Sequence, residues 1–258
     1  MARLVCEVHR IGFIDYQEAW DLQNQYAAEI AAGDRPATLL LLEHPHTYTF
    51  GRRGDAANLL WDEAELRQRG VSVYWVDRGG DVTYHGPGQL VGYPLLPLGK
   101  PTPQTPIHTG DRSHIPMVDY VGYIRKLEQT IITAVAEFGV MAKQVDGMTG
   151  VWVEDDQLSL NSNWSAVSAQ LSVRHRPLSF AKLAAIGVKV DASGISRHGF
   201  ALNVNPDMSY WEGIVGCGLP YPEISLAQLL DPVPAMAALS KTIVEVFGKI
   251  IDYESMML

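Results

Sequence analysis

Short apolar and polar runs follow one another along this chain, and their periods divide it into elements. Residues 3–9 read as a strand. Asp15 and Glu18 resemble a capping box, and Trp20, Tyr26, Ala27 and Ile30 form a loose helical face that Gly33 can end. The apolar run 37–43 predicts a buried strand, after which His44-Pro45-His46 turns the chain. Val71–Val76 is β-rich, a glycine-dense loop spans Arg78–Gln89, and a second strand-like run covers Leu90–Leu98. Residues 99–116 hold four prolines and predict a surface loop. The clearest helix is 118–138, where Ile124, Leu127, Ile131, Val135 and Phe138 recur at three- and four-residue steps before Gly139. Residues 150–153 are strand-like, and 154–180 are polar, Ser-rich and aperiodic, which predicts an inserted surface loop. Two strands, 182–190 and 195–204, are joined by the turn Asp191-Ala192-Ser193-Gly194. A last helix covers 234–250, with Leu239, Ile243, Val246, Phe247 and Ile250 on one face.

Strands and helices mix without regular βαβ alternation. That favours an α+β fold, with a mixed central sheet, over a doubly wound parallel sheet. No internal repeat or long linker divides the chain, so one domain over 1–258 is expected.

Composition narrows the class. Of 258 residues, 47% are apolar and 19% charged, enough for a sizeable core and unlike a disordered chain. The net charge of −9 argues against a protein that coats nucleic acid. Only Cys6 and Cys217 are present, which excludes a disulfide scaffold and a Cys-rich zinc module. The first ten residues break their apolar run with charges, unlike a signal peptide, and the longest aliphatic run, Leu39–Leu42, cannot span a bilayer. The expectation is a soluble cytoplasmic protein with reduced thiols and no membrane or nucleic-acid partner. Eight histidines lie scattered without ligand spacing, so no metal site is read.

Three segments can carry chemistry. In Arg78-Gly79-Gly80-Asp81-Val82-Thr83-Tyr84-His85-Gly86-Pro87-Gly88-Gln89, four glycines and a proline mean unusual backbone, which is either a ligand-free turn or a cradle letting a ligand approach the main chain. It lacks the ending of a phosphate-binding P-loop. Lys182 sits in the apolar run Lys182–Gly187, ahead of His198-Gly199-Phe200-Ala201. It is either an edge-strand lysine whose stem reaches water, or a desolvated amine that moves protons. Cys217 lies between Gly216 and Gly218, with the open approach a nucleophile needs, although burial is the usual fate of a free cysteine. Cys6, inside an apolar strand, reads as a core thiol.

Taken together and in this order, these segments resemble the lipoyl(octanoyl) transferases of the biotin/lipoate protein ligase superfamily. The resemblance rests on residues 78–90, 182–187, 198–203 and 217–219, with Leu42-Glu43-His44-Pro45 and Gly150-Val151-Trp152 in support, and runs from about residue 10 to 230. It implies an octanoyl group passing from octanoyl-acyl carrier protein to a lysine of lipoyl domains, in 2-oxoacid dehydrogenase complexes and the glycine cleavage H protein. The route would be a thioester on the enzyme, with no cofactor, and the enzyme would be a monomer. By position the nucleophile would be Cys217 and its proton-shuttling partner Lys182. Substrate would bind to Arg78–His85 (Arg78, Gly79, Gly80, Asp81, Val82, Thr83, Tyr84, His85), to Ala185, Ile186 and Gly187, and to Gly199, Phe200 and Ala201. His198 would give support.

A thioester is already activated, so the reaction needs a thiolate rather than ATP, and an ammonium beside a thiol stabilises that thiolate. Each of the six or seven CH₂ groups of an octanoyl tail is worth roughly 0.8 kcal/mol when buried, so an apolar tunnel is expected, with Tyr93 or Leu95 in its wall. An acidic enzyme meeting acidic carriers must concentrate its basic residues on the docking face, for which Arg52, Arg53, Arg78, Lys143 and Arg197 are candidates. One departure from the family pattern is Gly216, where proline is usual. Two other readings stay open: an ATP-dependent lipoate or biotin protein ligase of the same superfamily, and a non-catalytic protein that binds acyl carrier or lipoyl domains.

Overall fold

The apolar run Ala37–Glu43 forms a strand buried on both faces, and the whole molecule is layered about it. Leu39 and Leu41 point into one core cluster, Leu40 and Leu42 into another, as the two-residue strand period requires. The computed structural model describes residues 4–99, 119–154, 180–218 and 221–257. The expected loops at 99–116 and 154–180 lie almost wholly outside them.

The strands are β1 (Leu4–Phe13), β2 (Ala37–Glu43), β3 (Thr47–Phe50), β4 (Ser72–Trp75), β5 (Val82–His85), β6 (Gln89–Leu95), β7 (Ala142–Val145), β8 (Met148–Glu154), β9 (Phe180–Val190), β10 (Ser196–Asn203) and β11 (Tyr253–Met257). The helices are α1 (Tyr16–Ala32), α2 (Glu63–Gln68), α3 (Tyr120–Ala136), α4 (Leu226–Leu229) and α5 (Met236–Ile251). The large sheet runs β11-β1-β2-β6-β10-β9-β8-β7 and the small one β4-β3-β5. β1 pairs in parallel with β11 and β2, and the rest of the large sheet is antiparallel. The fold is therefore α+β with a mixed central sheet, as the irregular order of elements predicts.

Leu127, Ile131 and Val135 of α3 and Leu239, Ile243 and Phe247 of α5 cover one face of the large sheet. Helix α1 covers the other face through Ala19, Ala27 and Ile30. Asp15 caps α1 by accepting from the Gln17 amide, and Gly33 closes it in the left-handed conformation. Its buried stripe is Tyr16, Ala19, Gln23, Ala27 and Ile30, while Trp20 and Tyr26 are only half-buried. The polar Gln23 in mid-stripe blurs the helical period in the sequence.

Two short elements depart from the expected outline. Thr47–Phe50 and Val82–His85 are strands, the second lying inside the predicted glycine-dense loop. They pair with each other and enclose a separate core of Tyr48, Phe50, Val82, Tyr84 and Ile214. The polar and glycine residues around them hide the alternation. Among the described residues, no helix is long and apolar enough to cross a membrane.

Candidate active site

A cleft of about 440 Å³, counted to its open mouth, lies where β9 and β10 meet the loop before β5 and the turn Gly216–Gly218. Antiparallel pairing sets Gly187 opposite Gly199, Ile186 opposite Phe200 and Ala185 opposite Ala201, and all six line it. Tyr16, Arg78, Gly79, Gly80, Thr83, His85, Tyr93, His198 and Cys217 complete the wall. Three segments far apart in sequence thus meet in one place. Tyr93 contributes as expected, whereas Leu95, two residues on and fully buried, belongs to the core under α1.

The strand period splits the residues carried over from the family. Thr83 and His85 face the cleft, but Val82 and Tyr84, on the opposite side of β5, are packed in the small sheet's core. Asp81 is also off the cleft. It accepts from the Asp55 amide at 3.0 Å and the Asn58 side chain at 2.5 Å, and so ties the loop at 55–58 to the chain beside Gly218. These three expected substrate-binding residues therefore do not line the cleft. Arg78 lines the cleft with its own guanidinium occupied, donating to Thr49 Oγ1 at 2.9 Å, to the Thr49 carbonyl and to the Gly79 carbonyl.

Cys217 stands at one side of the cleft, half-buried, with φ 55° and ψ 18°. A non-glycine residue rarely takes this left-handed conformation, and such strain is stored at functional sites. Lys182 lies within electrostatic reach of Cys217, which is among the groups that raise the lysine's pKa. Lys182 is on an inner strand and 1% exposed, so it is not an edge lysine reaching water. Its ammonium lies 4.8 Å from the Trp152 ring centroid and 3.8 Å from Glu223 Oε1. Burial works against the ammonium, but Glu223 and Cys217 outweigh it and hold Lys182 above the usual lysine range. Gly150, at φ 131°, makes room for the lysine stem, since a Cβ there would meet the Ala184 carbonyl at 2.8 Å and Lys182 Cε at 3.4 Å. This explains why Gly150 and Trp152 accompany the lysine.

The histidines hold the far wall. His85 donates through Nδ1 to Gln89 Oε1, 3.0 Å away, and Gln89 continues through Asn203 to the Ile224 carbonyl. Burial holds His85 well below the usual imidazole range, so it is neutral at pH 7. His198, at φ 57°, gives its amide to Gln23 Oε1 at 2.7 Å, which accounts for the polar residue in the α1 stripe. Its Nε2 lies 2.7 Å from Asp77 Oδ1. Burial also lowers His198, and the neutral ring, donating through Nε2, leaves Nδ1 without a partner. Thr83 Oγ1 is likewise buried and unpartnered. Two cleft-lining side chains thus keep polar atoms free for a ligand.

Sequence reasoning missed Tyr16, Asp77 and Glu223. Glu223 is the only charge between Leu219 and Leu230, and that isolation was its one signal. Of the expected docking residues, Arg78 and Arg197 are 7% exposed, and Arg197 pairs with Asp77, so neither is on a docking face. Lys143 pairs with Glu154, while Arg52 and Arg53 are exposed. Cys6 is a core thiol, fully buried, and burial pushes its pKa to about 12. Among the described residues, no cluster of three His, Cys, Asp or Glu side chains is arranged to hold a metal ion.

Comparison with known proteins adds to this geometry. The model of the lipoyl protein ligase A/B catalytic domain matches residues 15–248. An octanoyltransferase from Chloroflexus aurantiacus is 39% identical over 248 residues, covering 96% of this chain and 94% of that one. An octanoyltransferase from Rubrobacter xylanophilus is 37% identical over 252 residues, covering 96% and 95%. Among solved structures, the bi-partite lipoate protein ligase of Thermoplasma acidophilum aligns with a TM-score of 0.62 over 100% of this chain and 88% of that one. At 10% identity, that likeness speaks for the fold alone.

Proposed function

The chain belongs to the lipoyl protein ligase A/B catalytic-domain family, and from that premise we propose that it transfers octanoyl groups from acyl carrier protein to a lysine of lipoyl domains through a thioester on Cys217. Its general activity is that of an octanoyltransferase. The observation that carries the finer reading is Cys217 in the wall of a cleft lined by Ala185, Ile186, Phe200 and Ala201, with the buried Lys182 amine within electrostatic reach of it.

In the first half-reaction the Cys217 thiolate attacks the octanoyl carbonyl carbon. The carbon–sulfur bond to the carrier breaks, and the carrier's sulfur leaves with a proton from Lys182 Nζ. The enzyme is left as the octanoyl thioester beside a neutral lysine. In the second half a neutral amine of the acceptor attacks that thioester. Its surplus proton passes to Lys182 Nζ, Cys217 departs as thiolate, and the starting state returns. One lysine serves as acid in one half and base in the other, so neither ATP nor metal enters the scheme.

The apolar cleft suits an eight-carbon tail. Exposed Arg52 and Arg53 suit an acidic carrier, and their amides bond to the Arg78 and Gly80 carbonyls of the cleft loop. The acceptors in this reading are lipoyl domains of 2-oxoacid dehydrogenase complexes and the glycine cleavage H protein. A ligase would need its lysine for nucleotide phosphates, and Lys182 is instead engaged by Cys217 and Glu223.

The test is intact mass after incubation with octanoyl-acyl carrier protein without ATP. One octanoyl adduct is expected on Cys217, absent in Cys217→Ala. No adduct, with lipoyl-domain modification only when ATP and free acid are added, would overturn the reading.

A further inference from the structure

Glu223 is an acidic side chain in an apolar setting, and it lies beyond the pair that the chemistry above requires. Its side chain is 6% exposed, its Oε1 stands 3.8 Å from Lys182 Nζ, and its Oε2 is buried without a hydrogen-bond partner. Leaving one carboxylate oxygen unsatisfied is costly, so the residue must be held there. The backbone does this. Past Asn203, β10 ends, and the chain at 222–224 takes its place beside β9: the Lys182 amide donates to the Pro222 carbonyl and the Ile224 amide to the Lys182 carbonyl, both at 2.9 Å. Lys182 and Glu223 are thus bridged side by side through their main chains.

The turn bearing the thiol is fitted to this carboxylate. A Cβ at Gly216 would lie 3.0 Å from Glu223 Oε1 and 3.3 Å from the Trp211 ring. Glycine at 216 therefore leaves the carboxylate its place, since a side chain there would crowd it.

We propose that Glu223 is a positioning residue for acyl transfer, whose carboxylate keeps Lys182 an ammonium directed at the thiol when no thiolate is there to pair with it. The inference rests on the transfer reading above. When substrate enters, the thiolate spends its charge on the carbonyl carbon, and a buried ammonium left without a counter-ion would lose its proton before the carrier's sulfur needs it. Above its own pKa, which burial pushes up to about 7 against the lowering effect of Lys182, Glu223 supplies that counter-ion. The titratable groups acting on Lys182 are Glu223 and Cys217, and Lys182 alone opposes the burial that raises Glu223. On the far side of the thiol, Arg78 acts on Cys217, and Asp81 lies against Gly218.

The experiment compares single-turnover acylation of wild type and Glu223→Gln by octanoyl-acyl carrier protein between pH 6 and 10, with intact mass as readout. Both proteins should form the Cys217 adduct. Wild type should hold its rate to pH 10, whereas Glu223→Gln should lose about tenfold between pH 8 and 10, because removing the carboxylate brings Lys182 down into that range. Glu223→Asp, which keeps the charge, should restore most of the alkaline rate. Adduct formation with the same flat profile in Glu223→Gln overturns the inference and leaves the transfer reading standing. No adduct in either protein overturns both. Should Glu223→Gln not fold, ¹³C-NMR titration of the Glu223 carboxyl in wild type and in Lys182→Met takes its place. The carboxyl should titrate at higher pH in the variant, and an equal midpoint in both overturns the pairing.

Discussion

Thr83 and Tyr84 are consecutive in β5 and face different compartments. Thr83 lines the cleft with an unpartnered hydroxyl, and Tyr84 is packed in the small sheet's core, its OH 2.8 Å from His46 Nδ1 and its ring stacked 5.5 Å from that of Tyr210. A buried hydroxyl without a partner destabilises the free protein and is available to a ligand. Thr83→Val should therefore raise stability by about 1 kcal/mol and lower kcat/KM for octanoyl-acyl carrier protein several-fold. Tyr84→Phe should do the reverse, losing about 1 kcal/mol with kcat/KM little changed. Thermal melts and steady-state kinetics on the two variants check the pair. A destabilised Thr83→Val would show that its hydroxyl already serves the fold.

The two thiols differ as much as these neighbours do. Cys6 is fully buried and its pKa is pushed to about 12, while Cys217 is half-buried in the cleft wall. Native protein treated with iodoacetamide at pH 8 should gain one carbamidomethyl group, on the peptide containing Cys217. Protein unfolded in guanidinium should gain two. Prior incubation with octanoyl-acyl carrier protein should block the native reaction, and peptide mass mapping reads all three. Modification of Cys6 in the native state would contradict its burial.

These contrasts show what the sequence could and could not carry. The continuous run at 37–43, the hairpin at 191–194 and the periodic faces of α3 and α5 follow from local rules, and the structure has them. Gathering Arg78, Thr83 and His85 with the β9 and β10 segments at Cys217 was anticipated from motif order, since those motifs are contiguous and long. The direction of each side chain was not. Val82 and Tyr84 sit in the same motif as Thr83 and His85, and only the strand at 82–85 sends them away from the cleft, while Asp81 is held off it by Asp55 and Asn58. Gln23, Asp77 and Glu223 were invisible for another reason: each matters through a partner more than 40 positions away, at His198 or Lys182. Arg78 and Arg197 were misjudged because a long cationic side chain is usually solvated, and here both are folded inward onto acceptors.

Acyl chain length should be set by the cross-strand pair Ala185 and Ala201, which face each other in β9 and β10 and both line the cleft. Leucine in place of Ala185 adds three carbons to that wall. At roughly 0.8 kcal/mol for each CH₂ displaced, Ala185→Leu should move the preference toward hexanoyl, lowering the octanoyl-to-hexanoyl ratio of kcat/KM by at least about tenfold. The measurement is competition between the two carrier thioesters. An unchanged ratio, in a variant that still forms the Cys217 adduct, would mean that the tail runs elsewhere.

Asp77 ties the far wall of the cleft together, and its contribution should depend on pH in a defined direction. Its Oδ1 takes the His198 hydrogen bond, and Oδ2 takes Lys189 and Arg197, the latter at 2.8 Å. The His198 bond, then that from Lys189 and the charge of Arg197, hold the carboxyl far below its usual range against the opposing effect of burial. A carboxyl depressed in the folded state binds fewer protons there than in the unfolded chain, so its stabilisation is full above the unfolded value of 3.8 and is lost as pH falls below it. Asp77→Asn should therefore be less stable than wild type by about 1–3 kcal/mol at pH 7, and the two denaturation midpoints should converge as pH drops below about 4. Because His198 stands in the cleft wall with Nδ1 free, the same change should raise KM for octanoyl-acyl carrier protein. Urea melts across pH 3–7 check the first expectation and steady-state kinetics the second. A stability gap that stays constant down to pH 3 would mean that the carboxylate's charge contributes nothing to holding His198, Lys189 and Arg197 in place.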